Sequence, residues 1–410
     1  MKALLFTGSV PAYAVTLVLG RLVRSAYWGP LSCVRLVDLP EPALPGPEWA
    51  VVRTRYAGIC GSDLHLVELE TSPTASAFTS FPFVIGHENV GRLELVGEAV
   101  GLPPGRRVVV DPLLTCEVRG IEPLCPACRA GNHSRCQSFI RGSLSPGMLL
   151  GSCRDAGGTW SPLFLAHSSQ LFPVPDAVSD EAAVLVEPLA SAMHAVARSG
   201  APADLPTATT LVVGGGVIGL GVLACLRFLG SRSRLVALVR HDHQAELARS
   251  LGADQVVLAR SGWESRLAEV LGAELRRPLI GRPVPAGGAD RVFECAGTGS
   301  ALDTALRFAA PGGQVVLVGL TAAPKGIDWS FVWRKELSLR GSFCHGVEEV
   351  DGRRRRTFEL VLDLLASSPF DFGSLVTHRF RLEDYRQALA TLLDKRRSRA
   401  VKAVFEFGPP

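Results

Sequence analysis

The sequence predicts two domains of different architecture: a β-rich, barrel-like first part, and a parallel α/β sheet that begins near Thr210. Three observations carry this. At 410 residues the chain is longer than one hydrophobic core ordinarily spans, so two domains are the natural division. Its first half breaks into short apolar runs between Pro- and Gly-rich turns, as antiparallel strands do. From Thr210 onward, strand-like and helix-like runs alternate, which implies crossover connections and a parallel sheet.

Composition excludes several classes. A hydrophobic fraction of 47% with 20% charged residues describes a folded globular chain. The net charge of +4 offers no electrostatic footprint for nucleic acid. The basic run Arg353 to Arg356 reads as a solvated surface segment. Ten cysteines in a chain of this size fit metal thiolates in a reducing, cytoplasmic setting better than a disulfide framework. Two stretches imitate membrane signals. Residues 3–20 are uncharged and contain Ala12-Tyr13-Ala14, but Gly8 and Pro11 break any export core. Residues 207–226 could span a bilayer, yet their glycines suit a strand-turn-helix better. No membrane segment is expected.

Taken in order, Ala3–Phe6, Val34–Val37 and Ala50–Tyr56 read as strands, with the loop Pro40–Pro47 between the last two. The apolar residues 15–32 have no assigned role. Next comes Gly58-Ile-Cys60-Gly-Ser62-Asp63-Leu-His65, followed by Gly86-His87-Glu88. Thiolate, imidazole and carboxylate are the ligand types of zinc, and a catalytic zinc keeps one position open. Asn89–Val96 and Arg106–Val110 continue the β pattern.

Cys116, Cys125, Cys128 and Cys136 follow, with a C-x2-C core. That spacing among turn residues predicts a closed, all-thiolate structural zinc site. Residues 160–174 are strand-like again. Ser179 caps a helical run that Pro188 interrupts, and Leu189–Ser199 is a second helix.

Thr210–Val213 then runs into Gly214-Gly-Gly216-Val217-Ile218-Gly219 and an apolar helix. A strand before, a helix after and a second strand at Leu235–Val239 supply the context a dinucleotide-binding loop needs. Gly214 allows the turn, Gly216 the approach of a pyrophosphate, and Gly219 close helix–strand packing. Val217 and Ile218 open the helix at that phosphate site. Where NAD binding places an acid at the second strand's tip, this chain has Arg240, whose guanidinium can pair with a 2′-phosphate. NADP is therefore favoured over NAD, with Asp242 as a second candidate for the acidic role. Arg291–Gly297 and Gly313–Gly319 read as later strands, and Gly319 joins the cofactor set. Thr357–Leu365 and Leu382–Leu393 are helix candidates, and Ala400–Phe407 is a closing strand.

Together these residues resemble the zinc-dependent medium-chain dehydrogenase/reductase family of alcohol, polyol and threonine dehydrogenases. The resemblance rests on Gly58–Asp63, Gly86-His87-Glu88, the cysteine knuckle, Val186-Glu187-Pro188 and the glycine loop. It implies a GroES-like catalytic domain (1–188, with the knuckle at 116–136, and again 344–410) interrupted by a Rossmann domain (189–343), with the active site in the cleft between them. It implies two zinc ions per chain, the catalytic one held by Cys60, His87, Glu88 and Glu187. Asp63 would orient His87, and Ser62 and His65 would relay the substrate proton. The implied reaction is reversible oxidation of an alcohol, polyol or amino alcohol to a ketone or aldehyde, in a homodimer or homotetramer. The chain departs from the family in two ways: extra length stands in the apolar N-terminal insert and in a Pro-rich segment near 276–288, and eight residues separate Cys116 from Cys125, with Glu122 where the first cysteine is expected. Glu122 is therefore a rival to Cys116. A non-catalytic dinucleotide-binding sensor or scaffold is the alternative from another class.

Overall fold

In the computed structural model, residues 1–201, 206–320 and 322–408 are described. The chain packs as two units, Met1–Glu187 with Val361–Pro410, and Pro188–Leu360. The first unit therefore takes up the chain again at Val361, where the resemblance put the return at 344.

The first unit is built around the strand Trp49–Gly58, which is buried along nearly its whole length. One edge pairs antiparallel with Asn89–Val96. The other is shared by Leu163–His167 and the closing strand Lys402–Glu406. Arg107–Val110, Leu171–Pro173 and Val376–Phe380 complete a seven-stranded sheet, while Lys2–Phe6 sits between Val34–Asp38 and Phe83–Val84 in a three-stranded one. A strand buried on both faces must be apolar at successive positions, which explains the run Trp49-Ala-Val-Val52. One core gathers those residues with Leu93, Val108 and Phe164. The other gathers Ile59, Leu64, Ile85, Trp160 and Phe405.

The N-terminal segment that the sequence left without a role is a helix, Val10–Leu22, followed by a 3-10 turn, Arg24–Trp28. Pro11 begins this helix rather than breaking it, because the first-turn N–H groups have no partner inside a helix. Ser9 caps it, its Oγ accepting from the Ala12 N–H at 3.3 Å. Ala12, Tyr13 and Leu17 pack on the core, while Val10, Val18 and Leu22 face outward.

The second unit holds a six-stranded parallel sheet in the order Gln255–Leu258, Arg234–Val239, Thr209–Val213, Ala289–Glu294, Ala309–Leu317, Ser338–Gly341. Helices Val217–Phe228, Asp242–Ser250, Trp263–Val270 and Gly299–Phe308 connect its strands. Pro188 does not interrupt its helix: Val186–Ser199 is continuous, with the proline in the first turn. The basic run is a strand at the surface, with Arg353 and Arg354 exposed. Arg353–Arg356 pairs with Val347–Val350, setting Arg355 across from Glu348 and Arg354 across from Glu349. Among the described residues, no helix is long and apolar enough to cross a membrane.

Candidate active site

Two segments of the first unit bring Cys60, His87 and Glu88 together. Cys60 caps the short helix Gly61–Val67 at the end of the central strand. His87 and Glu88 precede the strand Asn89–Val96, and the Glu88 carbonyl accepts from the Gly58 N–H at 3.1 Å. Their ligand atoms all lie within 4.8 Å of one another. Asp63 braces the set. One carboxylate oxygen accepts from the Cys60 backbone N–H at 2.9 Å, and the other lies 3.4 Å from His87 Nδ1. Holding Nδ1 leaves Nε2 as the metal donor, as an orienting carboxylate does in zinc sites. Burial works against a charge on His87, but Asp63 outweighs it and holds the imidazole well above the usual histidine value. A metal entering the set displaces that proton.

Glu88 is fully buried, and its two oxygens differ. Oε2 ion-pairs with Lys402, itself buried in the closing strand, whereas Oε1 has no hydrogen-bond partner. Lys402 Nζ also donates to the Ile59 carbonyl at 3.2 Å. Burial pushes the Lys402 ammonium down, but Glu88, Cys60 and Glu187 together raise it above the ordinary lysine value. A buried carboxylate oxygen left without a partner costs about 1–3 kcal/mol, which a metal ion would offset. The charges agree. As thiolate and carboxylates, Cys60, Asp63, Glu88 and Glu187 carry four negative charges and Lys402 offsets only one, an excess that favours a cation at the ligand atoms. The residues fit zinc.

Glu187, in the first turn of the helix Val186–Ser199, is buried and near enough to Lys402 to act on its charge, but it is not one of the three clustered groups. Sequence reasoning missed Lys402. A lysine inside an otherwise apolar closing strand, Ala400-Val-Lys-Ala-Val-Phe405, was the available signal. It also missed why Gly58 is glycine: a Cβ there would lie 1.8 Å from Glu88 Oε2.

Ser62 and His65 lie three positions apart on the helix Gly61–Val67, a spacing that sets both on one face. His65 Nδ1 is 2.8 Å from Glu70 Oε2.

The cysteine knuckle forms a separate cluster. Cys116, Cys125, Cys128 and Cys136 bring their sulfurs within 4.8 Å of one another, and Glu122 is not in the set. The turn after Cys116 closes through the Ile121 N–H to the Cys116 carbonyl at 2.9 Å. Backbone N–H groups of Cys125, Cys128, Gln137 and Ser138 point at the sulfurs, at 3.4 to 3.5 Å. Such donors favour thiolate. The hydrogen bond from Cys128 lowers Cys136 to about 5. Arg119, fully buried beside the cluster, donates to the carbonyls of Leu114, Arg141, Leu144, Ser145 and Gly147 and so ties its loops together.

In the second unit, Gly214 has φ +118° and turns the chain from strand to helix. Gly216 caps the helix Val217–Phe228, and a Cβ there would meet nothing within 4 Å. A Cβ at Gly219 would lie 2.0 Å from the Gly214 carbonyl oxygen, so the helix packs on the turn only because that residue is glycine. The open helix N-terminus fits a pyrophosphate. Arg240 is exposed at the tip of Arg234–Val239, while Asp242 is bound by Arg260 at 2.6 Å. Gly319 lies against Gly297 and Glu294, where a Cβ would be 2.3 Å from the Gly297 nitrogen.

The chain is similar to known dehydrogenases over most of its length. Residues 46–176 match the family model of the alcohol dehydrogenase GroES-like domain, and residues 217–367 that of the zinc-binding dehydrogenase. The chain is 30% identical to an L-idonate 5-dehydrogenase of Vitis vinifera over 364 residues, 88% of each chain. To an L-threonine 3-dehydrogenase of Anaeromyxobacter dehalogenans (strain 2CP-C) it is 28% identical, over 90% of this chain and 94% of the relative. A Sinorhizobium meliloti 1021 structure, described as a zinc-binding dehydrogenase bound to NADP, superposes with a TM-score of 0.68. It shares 26% identity over 91% of this chain and 95% of its own.

Proposed function

Because the chain belongs to the zinc-dependent medium-chain dehydrogenase/reductase family, and is an alcohol-dehydrogenase-like oxidoreductase, we propose that Cys60, His87 and Glu88 hold its catalytic zinc, with Glu187 completing the set directly or through water. The observation that carries this reading is the convergence of those three groups around a buried Glu88 oxygen that lacks a partner. Cys116, Cys125, Cys128 and Cys136 hold a second, structural zinc. The substrate is an alcohol of the polyol or amino-alcohol kind, as the names of the relatives support.

When bound, zinc supplies Lewis acidity to the substrate oxygen and the nicotinamide accepts hydride. The protein's own residues do the rest. Asp63 fixes the ring of His87 and the backbone at Cys60. Lys402 pairs with Glu88 and offsets part of the site's negative charge. Ser62 accepts the proton that the substrate hydroxyl loses as it gives its own to His65, which passes one outward. Gly214, Gly216, Val217, Ile218 and Gly219 form the cofactor's pyrophosphate cradle, with Gly319 near the sheet's end. Arg240 favours NADP, a preference supported by the capture of Asp242 by Arg260 and by the NADP-bound relative. The active form is a homodimer or homotetramer.

The test is a screen of D-sorbitol, L-threonine, 2,3-butanediol and ethanol with NADP and NAD, following the absorbance of the reduced nicotinamide. Turnover of a polyol or amino alcohol, fastest with NADP, is the expected result. No turnover of any of them by zinc-loaded protein overturns the reading.

A further inference from the structure

The helix that carries Ser62 and His65 does not simply end; the chain after it is folded back on His65. Leu69 adopts φ +57°, a left-handed conformation unfavourable for a branched apolar residue, and its side chain is buried in the core. This turn lets the Glu70 N–H reach the His65 carbonyl at 2.8 Å and sets Glu70 Oε2 2.8 Å from His65 Nδ1. A carboxylate only accepts, so Nδ1 carries the proton and Nε2 is left as the acceptor.

The turn is braced from the N-terminal helical insert. Arg24 makes a two-point contact with Glu68, Nε to Oε1 at 2.6 Å and Nη2 to Oε2 at 3.1 Å. Glu68 is buried, and Arg24 also feels the charge of Glu70. Arg24 further donates to the Leu393 carbonyl at 3.4 Å. The insert therefore fixes the residue before Leu69, which in turn fixes Glu70.

We propose that Glu70 is the outer member of the proton path, the group that receives the proton His65 gives up and passes it to water. The inference rests on the reading of Ser62 and His65 as that path. The substrate hydroxyl loses one proton, which reaches His65 through Ser62. As the Nε2–H bond forms on His65, its Nδ1–H bond breaks and the proton moves to the Glu70 carboxylate. From Glu70, exposed at the surface, it leaves to solvent. The electron pair departs with the hydride and takes no part in the relay.

The experiment compares the zinc-loaded enzyme with its Glu70→Gln and Glu70→Asp variants, using the best substrate of the alcohol panel. Glu70→Gln keeps a hydrogen-bond acceptor for Nδ1 but cannot take the proton. It is expected to lower kcat about tenfold with KM within about twofold, a modest share of what acid–base groups contribute. Its solvent deuterium effect on kcat rises, added imidazole restores turnover, and Glu70→Asp recovers at least part of the loss. Unchanged kcat in Glu70→Gln, or a loss that imidazole does not repair, overturns the proposal while leaving the zinc site in place. If the unsubstituted enzyme turns over none of the alcohols, the reading of the whole site falls and the relay with it.

Discussion

Lys402 and Glu88 form a fully buried ion pair between the closing strand and the segment that carries His87. The pair explains how a glutamate can occupy the core of the first unit at all: an isolated buried carboxylate would be driven to neutrality. It also sets a contest, because Lys402 and a metal ion both claim Glu88.

Removing the lysine decides that contest. Lys402→Met should destabilise the metal-free protein by about 3–5 kcal/mol, since it leaves an unpaired buried charge. Added zinc should recover much of the loss by taking Glu88 as its partner. Denaturant unfolding with and without zinc reads both effects, and equal losses in the two conditions would show that Lys402 acts only as a packing group.

Gly58→Ala tests the same space from the other side. Its Cβ would lie 1.8 Å from Glu88 Oε2, so the carboxylate must leave its position. The variant should bind one zinc per chain instead of two, and a metal assay showing two would mean that Glu88 is dispensable.

Acidification should release the catalytic metal before the structural one. Asp63 raises His87 above the usual histidine value, so protons compete for this ligand as the pH falls. In the knuckle, backbone N–H groups of Cys125, Cys128, Gln137 and Ser138 point at the sulfurs and favour thiolate, which holds the ion against protons. Zinc content measured along a pH series should therefore fall in two steps, activity vanishing with the first; a single step would contradict the assignment.

Cys128→Ser should spare the catalytic zinc while loosening the knuckle. A loss of about 2 kcal/mol would lower Tm by roughly 4–8 °C in a domain of this size. An unchanged Tm would count against a structural metal there.

Arg240→Ala should raise the KM for NADP about tenfold or more, the worth of one charge-assisted hydrogen bond, and leave that for NAD unaltered. Equal KM values for NADP before and after the substitution would remove Arg240 from the cofactor site.

The parts legible in the sequence are those whose chemistry is local. Gly214 and Gly219 must be glycine because of a turn and a helix packed on it within a few residues. Cys125 and Cys128 announce a metal by spacing alone. Lys402 could not be read that way, because only the folding of the last strand beside Gly58 brings it to Glu88. Glu70 reaches His65 through a left-handed turn at Leu69, a residue whose identity gives no hint of that conformation. Pro11 and the apolar residues after it misled for a different reason: a proline reads as a breaker unless the helix is known to begin there. Pro188 repeats the lesson in the helix Val186–Ser199.

The account depends most on Cys60 as a ligand of the catalytic metal. The direct measurement is turnover of the best alcohol by Cys60→Ala, with zinc counted in the same sample. The expected result is one zinc per chain retained and a loss of activity of at least about a thousandfold, the scale of several kcal/mol of Lewis-acid stabilisation. Turnover equal to that of the unsubstituted enzyme, with two zinc ions still bound, would contradict it.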